Sequence, residues 1–108
     1  MLRGKTKQLT EANSMIHKIF TVYDDKAECY MSPFTMQSTG AATRAFEDTV
    51  NDPKSAFNKH PSDYTLFEIG TFDDQNCTFT MYDAKTSLGS ANEYINKPDI
   101  NPLTAVGN

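Results

Sequence analysis

Two β-type segments joined by a short polar turn constrain the fold of this chain more than any other feature. Residues 64–72 are rich in β-branched and aromatic side chains, and residues 77–82 alternate cysteine, phenylalanine and methionine with threonine and tyrosine. Such runs are typical of strands. The four residues between them, 73–76, are of the polar types that favour turns. The sequence therefore predicts a β-hairpin with one face turned to a core and the other to solvent.

A further strand and two helices are predicted around this hairpin. Residues 15–23 again alternate and are of β type, so they predict a strand. The apolar residues at about 39–51 recur at helical spacing, and Pro53 just after them disfavours further helix. Ser87 is a suitable N-cap for a short C-terminal helix at about 87–95.

These elements predict an α+β fold, a small antiparallel sheet of three or four strands with the main helix and the short C-terminal helix packed on it. A chain of 108 residues forms one domain. We assign that domain to residues 15–96, flanked by a flexible basic extension at 1–14 and a flexible tail at 97–108. Such a sheet leaves an unpaired edge strand, which favours a homodimer.

The net charge of −4 is distributed unevenly along the chain. Residues 1–20 hold four basic side chains and one acidic side chain, whereas residues 21–108 hold six basic and thirteen acidic side chains. A basic arm on an acidic body is one signature of nucleic-acid binding. The alternative is a solvated tail, because three spaced cations, Arg3, Lys5 and Lys7, are few for an arm that binds phosphates.

No arrangement of catalytic or metal-binding residues can be assembled from the sequence. The two histidines, His17 and His60, lack the spacing to other ligands that zinc sites show. The acid pairs at 24–25 and 73–74 lie in predicted turns and lack the pattern of a calcium-binding loop. The five glycines are scattered, so no phosphate-binding loop is predicted. We therefore expect a protein that is not an enzyme and that holds no metal or cofactor. The sequence also has no apolar run of the ~20 residues that span a membrane, so we expect no membrane partner.

Aromatic residues supply the one binding signal. The chain has seven phenylalanines and five tyrosines, more than a small core hides completely. Exposed rings on a sheet can stack on unpaired bases, as they do in proteins that bind single-stranded nucleic acid. The alternative is that these rings form the core and a dimer interface.

Three stretches of the chain resemble one known family. They are residues 19–28, IFTVYDDKAE, residues 33–46, which open with PFTMQ, and residues 50–74, which contain FNKHPSDYTLFEIGTFDD. Over about residues 16–95, and in the same order, they are similar to the small nonstructural protein of gokushoviruses, the single-stranded DNA phages of the Microviridae.

The resemblance implies a phage protein that is made in the host bacterial cytoplasm and is absent from the mature capsid. It also implies binding of single-stranded DNA during genome replication or packaging, and it brings no catalytic motif. The side chains of this sequence that are candidates for such contacts are Lys18, Arg44, Lys54, Lys59 and Tyr64. The alternative is a protein-interaction module that acts on host or phage replication and assembly proteins. The acidic body favours that alternative, because affinity for phosphates comes mainly from cations.

Overall fold

A computed structural model of the chain describes residues 15–96. The predicted basic extension at 1–14 and the predicted tail at 97–108 lie outside the described residues.

The described part is an α+β fold, as the sequence predicts. Its elements, in chain order, are β1 (Ile16–Asp24), β2 (Cys29–Tyr30), β3 (Phe34–Met36), α1 (Thr39–Val50), α2 (Ala56–Lys59), a 3-10 turn (Pro61–Asp63), β4 (Tyr64–Asp73), β5 (Thr78–Ser90) and a second 3-10 turn (Ala91–Tyr94). The hairpin of β4 and β5, strand β1 and helix α1 all lie where the hydrophobic pattern indicates.

The strands form one antiparallel sheet in the order β2–β1–β4–β5. Strand β3 also pairs with β1, through Phe20 opposite Phe34, and so lies on the same side of β1 as β2. Strand β1 is therefore flanked by two very short strands on one side and by the long hairpin on the other. Within residues 15–96, β5 forms the far edge of the sheet.

Helix α1 is capped by Ser38 at its N-terminus and by Asn51 at its C-terminus. The hydroxyl of Ser38 accepts a hydrogen bond from the backbone N–H of Ala41 at 3.0 Å, which satisfies one of the free donors of the first turn. At the other end the backbone N–H of Asn51 donates to the carbonyl of Glu47. The Asn51 side chain also donates to the carbonyl of Tyr94 at 2.9 Å, which ties the second 3-10 turn to the helix end.

The core lies between α1 and one face of the sheet. The buried side of the helix, Ala42, Phe46 and Val50, packs against Phe20 of β1 and Leu66 of β4. Burying a side chain as large as phenylalanine or leucine contributes roughly 1.5–3 kcal/mol to folding. These contacts hold α1 on the sheet, and among residues 15–96 no helix covers the other face.

Phe57, in the short helix α2, anchors the segment after α1 to the core. Its ring centroid lies 5.4 Å from that of Phe46 and 4.6 Å from that of Tyr64. This segment is therefore fastened to the helix side of the sheet.

The C-terminal helix is shorter than its predicted range of about 87–95. Strand β5 continues to Ser90, and only the 3-10 turn at 91–94 is helical. The cap is Ser90 rather than Ser87, because Ser90 and Glu93 form a reciprocal capping box. Pairing of β5 with Thr65 and Leu66 satisfies more backbone groups than an isolated short helix would, so the strand prevails.

A wide bulge interrupts β5 and gives the sheet its curl. Met81 pairs with Gly70 and Thr86 pairs with Glu68, so the four residues Tyr82–Lys85 lie opposite the single residue Ile69. Bulges bend the strand that carries them and increase its twist. We call the segment Tyr82–Lys85 the β5 bulge.

We expect Gly70→Ala to destabilise the fold because β4 and β5 approach closely where the β5 bulge begins. A Cβ atom at Gly70 would lie 2.6 Å from the carbonyl oxygen of Thr80, which is backbone and cannot move aside easily. Such overpacking costs typically 1–3 kcal/mol. Gly40→Ala is the matched control, since a Cβ there meets only the Ser38 hydroxyl at 3.9 Å. Thermal unfolding followed by circular dichroism should show a lower melting temperature for the first variant alone, and equal values would contradict the close approach.

Candidate functional site

The two faces of the sheet divide the aromatic residues between them. The rings on the α1 side are those of Phe20, Phe34, Phe46, Phe57, Tyr64 and Tyr94. Strand register places five others on the opposite side, which we call the open face: Tyr23, Tyr30, Phe67, Phe72 and Phe79. The first set forms or borders the core, whereas no helix of the described part lies over the second set.

One ring cluster on the open face surrounds a lysine. The centroids of Tyr23 and Tyr30 are 4.7 Å apart, and those of Tyr30 and Phe67 are 6.1 Å apart. The Nζ atom of Lys85, the last residue of the β5 bulge, lies 5.6 Å from the centroid of Tyr30 and 5.4 Å from that of Phe67. An ammonium at this distance is attracted by the ring faces. Tyr30 remains 46% exposed.

A second ring cluster lies further along β4. The centroids of Phe72 and Phe79 are 4.7 Å apart, and that of His17 lies 6.1 Å from Phe72. Phe79 is 61% exposed, a larger fraction than that of Ile16 or Met81, which are each 52% exposed. Phe67 and Phe72 are five positions apart on β4, so the two clusters lie roughly 17 Å apart along the strand.

His17 also contacts the turn between β4 and β5. Its Nε2 atom lies 2.9 Å from a carboxylate oxygen of Asp74. This hydrogen bond, together with one from the backbone N–H of Met15, lowers the pKa of Asp74. The second ring cluster is thereby fixed to the hairpin turn.

An apolar groove of about 380 Å³ lies on the open face beside Lys85. Its lining residues are Thr21, Tyr30, Met31, Pro33, Ile69, Met81, Tyr82 and Lys85. The Thr21 hydroxyl donates to the carbonyl of Met31 at 2.7 Å, and the Tyr82 hydroxyl donates to Glu68 at 2.6 Å. Two of the hydroxyls of the groove are therefore engaged within the protein, whereas Lys85 forms no ion pair with any residue in 15–96.

A buried carboxylate holds the β5 bulge in place from the α1 side of the sheet. The two oxygens of Glu68 accept hydrogen bonds from the hydroxyl of Thr39 at 2.7 Å and from that of Tyr82 at 2.6 Å. The Nζ atom of Lys18 lies 3.7 Å from the same carboxylate and 3.3 Å from the Thr39 hydroxyl. Because Tyr82 opens the β5 bulge and Lys85 closes it, these bonds help to hold Lys85 over the rings.

The contacts of Glu68 set the ionisation of two groups. Burial disfavours the charged carboxylate, but the hydrogen bonds from Tyr82 and Thr39 and the charge of Lys18 outweigh it and lower the pKa of Glu68. The hydrogen bond to Glu68, reinforced by burial, raises the pKa of Tyr82 to about 12. At neutral pH the pair is therefore a carboxylate and a protonated phenol.

The four basic residues predicted to contact DNA do not lie together. Lys18 is engaged with Glu68 near the start of α1, and Arg44 is exposed in the middle of that helix. Lys54 and Lys59 follow the end of α1, roughly 18 Å from its start. Tyr64, the fifth candidate, packs on Phe57 on the α1 side.

The open face instead brings together residues that the sequence did not single out as a site. These are Tyr30, Phe67, Phe72, Phe79 and Lys85. The alternation of residues 77–82 was a usable signal for Phe79, because it separates a phenylalanine and methionine side from a threonine side. No spacing in the sequence connects Lys85 to these rings.

Two features are absent from the part of the chain that the structure describes. No group of three or more His, Cys, Asp or Glu side chains within residues 15–96 is placed to hold a metal ion. Over the same residues, no helix has both the length and the apolar character that crossing a membrane requires.

Comparison with protein families gives one result. A family model described as phage ORF5 protein matches residues 17–94, which is nearly all of the described part. The matched span contains both ring clusters, the groove and Glu68. Comparisons with curated proteins and with solved structures gave no match.

Proposed function

This chain belongs to the phage ORF5 protein family, and on that basis we propose that it is a nonstructural accessory protein that binds single-stranded DNA on its open face. The observation that carries the proposal is the Lys85 ammonium held over the rings of Tyr30 and Phe67 beside an apolar groove. The resemblance of residues 16–95 to a gokushovirus protein supports a role in replication or packaging of a single-stranded genome. That role would be exercised in the cytoplasm of the host bacterium.

Stacking supplies the physical basis of the proposal. Proteins that bind single strands without sequence preference combine aromatic side chains, on which bases stack, with cations that follow the backbone. Tyr30 and Phe79 offer exposed rings in two separate clusters, and Lys85 offers an ammonium beside the first. Each stacked base contributes about 1–3 kcal/mol. Two clusters on one face can therefore hold two unpaired bases of the same strand.

The groove favours binding without base specificity. Reading a base requires free donors and acceptors that face its edge. The hydroxyls of Thr21 and Tyr82 are already bonded to Met31 and Glu68, so they offer no free proton to a base. The site would therefore recognise the face of a base and the charge of a phosphate, which all DNA sequences share.

The acidic side chains of the body limit where a strand can run. Burial raises the pKa of the Tyr23 phenol, and the nearby negative charges of Asp25 and Glu28 raise it further. A phosphate near this turn would be repelled. We therefore expect the phosphates of the strand to pass from Lys85 towards Phe79 on a path that avoids both residues 25–28 and the carboxylate of Asp74 in the hairpin turn.

The proposal is tested by fluorescence anisotropy of the full chain with a labelled single-stranded oligonucleotide of about 30 nucleotides, long enough to cover several sites. Raising the salt from about 50 to 200 mM should weaken binding only about 3- to 7-fold, because the slope is about −0.7 for each phosphate contact and the site offers one or two. The matched control is the variant Arg3→Gln, Lys5→Gln, Lys7→Gln, which should bind equally well.

Two outcomes would contradict this assignment. Loss of binding in the control variant would place the affinity in the basic arm instead of the open face. An oligonucleotide of the same length without bases should bind at least about 10-fold more weakly, because it offers nothing to stack. Equal binding of the two oligonucleotides would show that phosphates alone are recognised.

The second candidate function is a non-enzymatic protein-interaction module that acts on host or phage replication and assembly proteins. Exposed Met31 and Met81 on the groove favour it, since methionine adapts to varied apolar partners. This module would be favoured over the DNA-binding role by two results together. The chain would bind no DNA, and it would bind a phage replication protein in an interaction that Met81→Lys abolishes. Neither function assigns a catalytic step to the open face.

A further inference from the structure

Within residues 15–96, the two edges of the sheet are protected to very different degrees. On one side, β1 is flanked by β2 and β3, which are two and three residues long, with Pro33 between them. Very short strands and proline are devices that keep an edge from pairing with another chain. On the other side, residues 78–82 of β5 read Thr-Phe-Thr-Met-Tyr and contain no charge and no proline.

The unprotected edge is also apolar on one face. Phe79 is 61% exposed and Met81 is 52% exposed, and both lie on the open face. Strand register places Thr80 on the opposite face, where it too is exposed. An exposed, uncharged edge strand of high β-propensity is a template for a further strand.

We propose that the edge of β5 pairs antiparallel with the same edge of a second copy of this chain, which gives a two-fold dimer with one continuous sheet. With the axis at Thr80, Phe79 of each copy lies opposite Met81 of the other. Residues that face each other across an antiparallel pair have Cβ atoms about 4.5–5.5 Å apart, close enough for the sulfur of Met81 to contact the ring. Both copies gain the same contacts, as a two-fold interface requires.

The geometry of β5 favours one second copy over an open-ended stack. The β5 bulge ends the regular edge after Met81, and the hairpin turn at 74–77 ends it before Thr78. Each edge is used once in a two-fold pair, so the assembly closes at two copies. Because only the four residues 78–81 of each strand lie on the regular edge, the interface is small, and we expect a dissociation constant on the order of 1–100 μM.

The dimer does not depend on DNA binding. Pairing joins the backbone edges of β5 and brings Phe79 beside Met81 of the other copy, but it does not involve Tyr30, Phe67 or Lys85 of the first ring cluster. A two-fold axis perpendicular to the sheet leaves both open faces on the same side. A monomeric variant should therefore still bind a short oligonucleotide, so the two proposals fail separately.

The test is sedimentation velocity of the full chain over about 1–300 μM, a range that brackets the expected dissociation constant. Thr80→Lys places two ammonium groups opposite each other across the axis and should weaken association at least about 10-fold, and Thr80→Asp should do the same with carboxylates. An equimolar mixture of the two variants should restore the dimer, because lysine then faces aspartate. Thr35→Lys, at an exposed position of β3 on the protected edge, is the matched control and should leave association unchanged.

A second measurement, disulfide cross-linking, tests the dimer even if the charged variants at Thr80 fail to fold. In a Cys29→Ser, Cys77→Ser background, which removes both exposed thiols, Thr80→Cys should form an intermolecular disulfide under mild oxidation. Thr35→Cys in the same background should not. The proposal is overturned by a wild-type chain that stays monomeric throughout the range, by a Thr80→Lys chain as dimeric as wild type, or by equal cross-linking at positions 80 and 35.

Discussion

Replacement of Tyr30 by alanine is expected to weaken the binding of single-stranded DNA about 5- to 150-fold, which corresponds to the 1–3 kcal/mol of one base–aromatic stack. The substitution removes an exposed ring and, with it, one of the two rings that position the ammonium of Lys85. Because Tyr30 is 46% exposed and lies on a two-residue edge strand, the fold should tolerate its loss. The measurement is anisotropy of a labelled oligonucleotide at constant salt.

Conservative variants separate stacking from charge. Tyr30→Phe keeps the ring and should bind within about 3-fold of wild type, because stacking needs the ring face and not the hydroxyl. Lys85→Gln should both weaken binding and reduce the magnitude of the salt slope by about 0.7, the value of one phosphate contact on a single strand. Lys54→Gln removes an equal charge away from the open face and should change neither quantity.

The comparison of Lys85 with Lys54 decides between two sets of residues. The candidates chosen from sequence were cations grouped by charge alone, and the fold distributes them along α1. If Lys54→Gln reduced the salt slope and Lys85→Gln did not, the surface after α1 would be the binding site and the open face would not be. An equal loss of affinity in Tyr30→Phe and Tyr30→Ala would likewise contradict stacking.

The elements that sequence analysis predicted well are those whose signal is local. Helix α1 carries its own cap at Ser38 and its own apolar side, and the ends of β4 follow from its β-type composition. Strand β5 was predicted only to Tyr82 because the β5 bulge breaks the alternation there. Pairing with β4 restores the strand after the bulge, and pairing partners are not a local property of the sequence.

The residues of the open face could not be predicted, because one extra residue in β4 changes the face on which the later side chains of that strand lie. Leu66 and Glu68 face α1, and simple alternation along β4 would place Phe72 on that side as well. The register with β1 instead shifts by one residue at Ile69, so that Phe72 pairs with His17 and lies on the open face. A one-residue slip moves every later side chain of a strand to the other face. The second ring cluster therefore depends on a bulge at Ile69 that no pattern in the sequence predicts.

Lys85 illustrates the same limit for the site. It is 55 residues from Tyr30 in the sequence, and it reaches the ring only because the sheet places β2 and the β5 bulge over the same face. The sequence could state that rings and cations are present. It could not state which cation meets which ring, since that depends on tertiary structure alone.

The second large effect is expected at Glu68, where replacement by alanine should lower the free energy of unfolding by about 3 kcal/mol, the lower part of the range for breaking a buried charge network. The side chain of Glu68 is only 10% exposed, and its loss leaves the hydroxyls of Thr39 and Tyr82 and the ammonium of Lys18 without their acceptor. The measurement is urea unfolding followed by circular dichroism. Asp48→Ala, at an exposed position of α1, is the matched control and should change the free energy little.

The pH dependence of Glu68→Gln distinguishes the charge from the packing. Because folding lowers the pKa of Glu68, its carboxylate stabilises the fold fully above its unfolded pKa of about 4.3, and this contribution is lost as the pH falls through the lower folded value. The difference in free energy of unfolding between wild type and Glu68→Gln should therefore shrink below about pH 4. A difference that stays constant through that range would show that the negative charge does not stabilise the fold.

The phenol of Tyr82 gives the complementary test at high pH. Its folded pKa, about 12, lies above the usual phenol value of 10.0, so its contribution is present at neutral pH and is lost as the pH rises through the folded value. Tyr82→Phe should remove this alkaline dependence and also release the first residue of the β5 bulge. If Glu68 and Tyr82 hold Lys85 in place, both Glu68→Ala and Tyr82→Phe should weaken DNA binding without any change to the open-face rings. Unchanged binding in both variants would show that Lys85 is positioned by Tyr30 and Phe67 alone.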